Sequence, residues 1–133
     1  MKDILVVDDV EIMREVLKDL LIGEGYTVES CSGPQEALQA LEKEQFKVVL
    51  TDLQMPKLTG AKLCVKMRKH NLVTYFIAMT GFFDDFGIAD CRQAGFDDYI
   101  VKPYKKQEIL KRVEIGLYKV NNWLSLEVDC EKI

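Results

Sequence analysis

The feature that most constrains this chain is a five-fold alternation between two kinds of segment. Short apolar runs rich in β-branched residues occur at Ile4 to Val7, Thr27 to Cys31, Val48 to Leu50, Tyr75 to Met79 and Tyr99 to Val101. Most lack in-out alternation, which predicts strands buried on both faces. Between them lie helical periods. Ile12, Met13, Val16, Leu17, Leu20 and Leu21 predict a first helix ending at Gly23 to Gly25. Ser32 and Gln35 read as a capping box opening a second, lined by Ala37, Leu38 and Leu41. Leu63, Cys64 and Met67 line a third. Ile88, Cys91 and Arg92 fit a fourth that closes at Gly95. Ile109, Leu110, Val113 and Leu117 line a fifth. Five β-α units with room for a helix in every crossover predict an α/β fold, a parallel sheet covered on both faces.

Composition narrows the function. The chain has 133 residues, one domain's worth. Its 18 basic and 22 acidic residues leave a net charge of −4. That disfavours nucleic acid and anionic membrane surfaces as partners, since both attract an excess of Lys and Arg. No run of about 18 apolar residues is present, so no spanning helix is expected. The N-terminus lacks the apolar length of a secretory signal. Cys31, Cys64, Cys91 and Cys130 form no C-x-x-C pair, so neither zinc nor a disulfide framework is indicated. Buried thiols in a reducing cytoplasm are expected. The one histidine, His70, follows Arg68-Lys69 and reads as part of a solvated helix C-terminus.

In a parallel α/β sheet, ligands bind beyond the carboxyl ends of the strands. The residues there form an unusual set. The first strand runs into Asp8-Asp9 and the third into Asp52. The fourth ends in Thr80-Gly81 and the fifth in Lys102-Pro103. Any one of these alone is commonly a cap or a turn. Together they bring three carboxylates and one ammonium to one edge. Two carboxylates about 5 Å apart repel by roughly 3 kcal/mol at an effective dielectric near 20. A divalent cation would offset this, and oxygen ligands suit magnesium shared with a phosphoryl group. On this reading Asp8 and Asp9 hold metal, and Asp52 is either a further ligand or a nucleophile. Lys102 and Thr80 would contact phosphoryl oxygens.

This set resembles the signature of response-regulator receiver domains of two-component signalling, the chemotaxis regulators among them. Asp52-Leu53-Gln54-Met55-Pro56 with Gly60 resembles the family's stretch around its phosphorylated aspartate. Ala94-Gly95-Phe96-Asp97-Asp98-Tyr99 resembles its run into the last strand. The resemblance covers about residues 2 to 120. It implies a flavodoxin-like (βα)5 three-layer sandwich with strand order 2-1-3-4-5. It implies that Asp52 accepts a phosphoryl group from a histidine kinase or phosphotransfer protein. Asp9, Asp52 and the Gln54 backbone carbonyl would bind Mg2+, with Asp8 assisting. Lys102 would contact the phosphoryl group, Thr80 would move toward it, and Tyr99 would couple to the surface of the fourth helix, fifth strand and fifth helix. Pro103 and Gly81 support these positions. Phe82, two residues after Thr80, predicts slow self-dephosphorylation by excluding water. Phe82, Phe83 and Phe86 read alternatively as a partner-facing patch.

The expected product is a cytoplasmic phosphoacceptor switch, not a turnover enzyme. It would act on a downstream effector or a tethered output domain, with homodimerisation on phosphorylation a further expectation. Three competing readings weaken on inspection. An aspartate-nucleophile phosphatase would need a longer chain for its cap. A flavodoxin would need a phosphate loop where Asp8-Asp9 stand. A degenerate, phosphorylation-independent receiver would lack part of the site set. Residues 1–120 are therefore assigned to the receiver. Residues 121–133 form an extension, where Leu124, Leu126, Val128 and Cys130 alternate with polar residues as in a half-buried strand. A linker or the start of an output domain are the other readings of that segment.

Overall fold

The computed structural model describes residues 1–53, 60–81 and 88–131. Five parallel strands pair in the order β2-β1-β3-β4-β5. They are β1 (Lys2–Val7), β2 (Val28–Cys31), β3 (Phe46–Asp52), β4 (Tyr75–Thr80) and β5 (Asp98–Val101). The helices are α1 (Glu11–Gly23), α2 (Pro34–Lys43), α3 (Gly60–Arg68), α4 (Ile88–Ala94) and α5 (Lys106–Glu131). The expected flavodoxin-like order is thus the one observed.

Strand alternation divides the core into two layers. Leu5, Val7, Val49, Phe76 and Ala78 meet Ala37, Leu41, Leu63, Cys64 and Cys91, under α2, α3 and α4. Ile4, Val6, Val48, Leu50, Ile77, Met79 and Ile100 meet Leu17, Leu21, Ile109, Val113, Leu117 and Val120, under α1 and α5. β1 and β3 pair along Ile4↔Val48 to Val7↔Thr51, so their carboxyl ends stop level. The connection after β1 runs outward to β2 and the one after β3 runs the opposite way to β4, and this divergence opens a crevice at those ends.

Several local expectations change. Ile12 and Val16, expected on the core face of α1, are 70% and 46% exposed. Met13, Leu17, Leu20 and Leu21 already span the width of the seam, and the other two fall beyond it. Ser32 pairs with Glu36, not Gln35, and its side chain does not cap α2. The Glu36 carboxylate accepts the Ser32 N–H at 3.1 Å and its hydroxyl at 2.9 Å. Gly33 occupies the cap position, so the pairing is displaced by one residue.

The strand-like tail is helical. α5 runs without a break to Glu131. Trp123 and Leu124 continue the Ile109, Val113, Leu117, Val120 series at 3- and 4-residue spacing and pack on the same layer. No Gly or Pro follows Gly116 to stop it. Extending an existing helix costs far less than nucleating a new element, so the two-residue alternation has no opportunity to act. The Trp123 ring lies 6.5 Å from that of Tyr75, which anchors the extension to β4.

Candidate functional site: an acidic pocket at the strand ends

Asp8 directly follows β1. Its N–H still donates to Cys31 O at 3.2 Å, and its own carbonyl accepts from the Arg14 guanidinium at 2.9 Å. Asp8 is fully buried. One oxygen, Oδ1, accepts the Val10 N–H at 2.9 Å. The other, Oδ2, is buried with no hydrogen-bond partner. Asp52, the last residue of β3, is 5% exposed. Its Oδ2 lies 3.0 Å from Lys102 Nζ. Asp9 is exposed at the rim. Asp8, Asp9 and Asp52 each present an oxygen within 4.8 Å of the other two.

The backbone fixes this geometry from below. The Lys102 N–H donates to Thr80 O at 2.7 Å, and the Leu53 N–H donates to Met79 O at 2.9 Å. The loops after β3, β4 and β5 are thereby tied into one rim. Thr80 is fully buried at the end of β4. Gly81 is half-buried, and the Lys102–Pro103 peptide is cis with Pro103 exposed. Asp8, Asp9, Asp52, Thr80 and Lys102 are therefore all brought to one edge, as the strand-end argument requires. Gln54, Phe82, Phe83 and Phe86 lie outside the described residues.

The electrostatics point to a cation. Burial raises the Asp8 pKa, and the nearby Asp52 and Asp9 charges push it further up. The Val10 N–H and Lys102 act in the opposite sense. A buried carboxylate oxygen with no donor is costly. A hard divalent cation facing it, with two more carboxylates in reach, relieves that cost. The donor set fits magnesium: all oxygen, with an exposed member that leaves room for water.

Tyr99 stands apart from the pocket. It is half-buried against the α2–α4 layer and lines a groove of about 550 Å³ with Cys91, Arg92, Asp98, Glu108 and Arg112. Arg112 pairs with Asp98 at 3.2 Å across it. Cys31, Cys64 and Cys91 are buried. Burial pushes the Cys31 and Cys64 thiols up to about 12. His70 is exposed just beyond α3, as expected.

Two residues escaped the sequence reading. Arg68, expected among solvated cations, is a clamp. Its guanidinium donates to Thr74 O at 2.7 Å and to Gly95 O at 2.5 Å, pairs with Asp97 at 2.6 Å, and stacks 4.3 Å over Phe76. Asp97 in turn accepts the Phe76 N–H at 2.8 Å. Nothing in the spacing distinguishes this arginine from its neighbours. Tyr104, two residues after Lys102, buries its hydroxyl without a hydrogen-bond partner.

A family model described as the response regulator receiver domain matches residues 4–114. The chain belongs to that family. Transcriptional regulatory protein SrrA of Staphylococcus aureus is 32% identical over 120 residues, 90% of this chain and 49% of that protein. The chain thus spans about half the length of the curated relatives it matches. A response regulator receiver domain protein (CheY-like) from Methanospirillum hungatei JF-1 superposes with a TM-score of 0.86 at 30% identity, covering 92% of this chain and 98% of that one. A structure described as adenylate cyclase from Rhodopirellula baltica superposes at 0.91 over 99% of this chain and 98% of that one. At 24% identity that match shows the fold alone. The protein is a receiver domain of the two-component type, and its acidic pocket lies at the receiver's strand ends. Among the described residues no helix is long and apolar enough to cross a membrane.

Proposed function

We propose that Asp52 is the phosphoacceptor of a cytoplasmic signalling switch. The observation that carries this reading is the Lys102 Nζ to Asp52 Oδ2 contact of 3.0 Å inside a cluster of three carboxylates. An ammonium paired with a nearly buried carboxylate holds that carboxylate in place and offers a positive charge to an incoming phosphoryl group. The donor is a phosphohistidine on a partner kinase or phosphotransfer protein. An Asp52 oxygen attacks phosphorus, the P–N bond to the histidine breaks, and the electron pair leaves on the imidazole nitrogen, which takes a proton. Asp9, Asp52 and the Gln54 carbonyl, with Asp8 assisting, would hold Mg2+, which when bound supplies positive charge to the crowded acids and phosphoryl oxygens. Lys102 then pairs with a phosphoryl oxygen, and the Thr80 hydroxyl donates to another.

The output is a changed surface on α4, β5 and α5, with Tyr99 in its groove reporting the state of Thr80. The recipient is a downstream effector or a tethered output domain, and phosphorylation favours a homodimer. The domain turns over no substrate of its own. Phe82 slows loss of the phosphoryl group by excluding water, and Phe82→Glu should speed it in a phosphate-release assay.

The test is the intact mass after incubation with acetyl phosphate, with and without magnesium. A phosphoryl adduct that requires magnesium and disappears in Asp52→Asn supports the reading. An adduct that persists in Asp52→Asn, or none with any donor, rejects it.

A further inference from the structure

Among the described residues, two buried side-chain oxygens lack a hydrogen-bond partner: Asp8 Oδ2 and the Tyr104 hydroxyl. They belong to the same corner of the molecule. Asp8 continues the Ile4–Val6 alternation, which faces the α1/α5 layer, and the Tyr104 ring packs on that same layer. Tyr104 is also two residues from Lys102, whose ammonium reaches Asp52. The Asp8 and Asp52 charges, after burial, contribute to pushing the Tyr104 phenol up to about 12, which places the hydroxyl within their field as a neutral donor.

A phenylalanine would fill the ring's space equally well. The hydroxyl is therefore an added polar atom, and buried hydroxyls are ordinarily satisfied. A neutral phenol can donate, and Asp8 Oδ2 can only accept. The two atoms are complementary, and one bridging water reconciles them, since a buried water needs two or more polar partners.

We propose that Tyr104 is a positioning residue of the cation site, its hydroxyl holding the Asp8 carboxylate through one water. Asp8 Oδ1 is already fixed by the Val10 N–H, so the Tyr104 link sets the remaining oxygen and with it the orientation that Asp8 offers to magnesium. The effect on affinity should resemble the loss of an outer hydrogen bond to a metal ligand, at the weak end because the link passes through water.

This inference rests on the magnesium part of the function proposed above and not on phosphotransfer. The test is calorimetric titration with MgCl2 at constant ionic strength, in the wild type, Tyr104→Phe, Asp8→Asn and the double variant. Tyr104→Phe should weaken magnesium binding about three- to ten-fold. In the Asp8→Asn background the same change should alter it less than about two-fold, because the hydroxyl then has no carboxylate to hold. Circular dichroism confirms that each variant is folded. An unchanged affinity in Tyr104→Phe overturns the proposal. So does equal weakening in both backgrounds, which assigns the effect to ring packing, and so does a wild type that binds no magnesium. A wild type that binds magnesium yet takes no phosphoryl group refutes the switch and leaves this link standing on its titration.

Discussion

Replacing Asp8 with asparagine should make the metal-free domain more stable. Asp8 is fully buried, and it offers an oxygen within 4.8 Å of oxygens on Asp9 and Asp52. Two full charges at that distance repel by about 3.5 kcal/mol at an effective dielectric near 20. Lys102 offsets part of this, and water screens the exposed Asp9, so the net relief should be about 1 to 3 kcal/mol. Asparagine keeps an acceptor for the Val10 N–H and adds a neutral amide where Oδ2 lacks a partner. For a chain of this size the melting temperature should rise by about 4 to 12 °C. The sign with pH follows from the raised Asp8 pKa. The folded state holds the Asp8 proton more tightly than the unfolded chain. The resulting stability is fully present below the ordinary carboxylate value of 3.8 and is lost as pH rises through the raised folded value. The advantage of Asp8→Asn should therefore grow over that same rise. Magnesium should narrow it. At ten times its dissociation constant the metal stabilises the wild type by about 1.4 kcal/mol, and the variant by less. Differential scanning calorimetry with EDTA and with MgCl2, across pH, measures each quantity. A lower melting temperature for metal-free Asp8→Asn, or a gap indifferent to magnesium, would mean that the Asp8 charge does not destabilise the metal-free pocket.

Three other changes probe the scaffold. A Cβ at Gly116 would stand 2.5 Å from Tyr75 Cδ1, a ring already held by Asp98 and Trp123. Gly116→Ala should therefore cost about 1 to 3 kcal/mol in urea denaturation. Arg68→Met strands Asp97 and the Thr74 and Gly95 carbonyls, and should cost about 2 to 4 kcal/mol by the same measurement. Ending the chain after Val120 removes the Trp123 and Leu124 packing. Residues 1–120 should still fold, with native circular dichroism but about 2 to 3 kcal/mol less stability.

The fold was legible because its strands are continuous apolar runs of β-branched residues, and a five-fold β-α alternation admits few topologies. The pocket was legible for a related reason. Asp8, Asp52, Thr80 and Lys102 each stand at the end of such a run, and a parallel sheet gathers run-ends on one edge. What stayed hidden depends on contacts between segments far apart in the chain. Arg68 reads like Lys69 until the Gly95 carbonyl and Asp97 arrive from 27 and 29 residues away. Tyr104 carries no signal in the sequence, and only the fold shows its hydroxyl to be buried. Ile12 and Val16 fit the helical period, yet the width of the seam on α1, set by the sheet, leaves them outside. The tail misled for the opposite reason. Its two-residue alternation is real, but the helix already under way from Lys106 absorbs it.

One carboxylate, Asp52, should carry the phosphoryl group. Reduction with borohydride converts an aspartyl phosphate to homoserine and marks its position permanently. After phosphorylation with acetyl phosphate and magnesium, peptide mass spectrometry should find homoserine at position 52, and Asp8 and Asp9 unmodified. Homoserine at position 8 or 9, or aspartate intact at 52 in a protein that has gained phosphate, would place the phosphoryl group elsewhere.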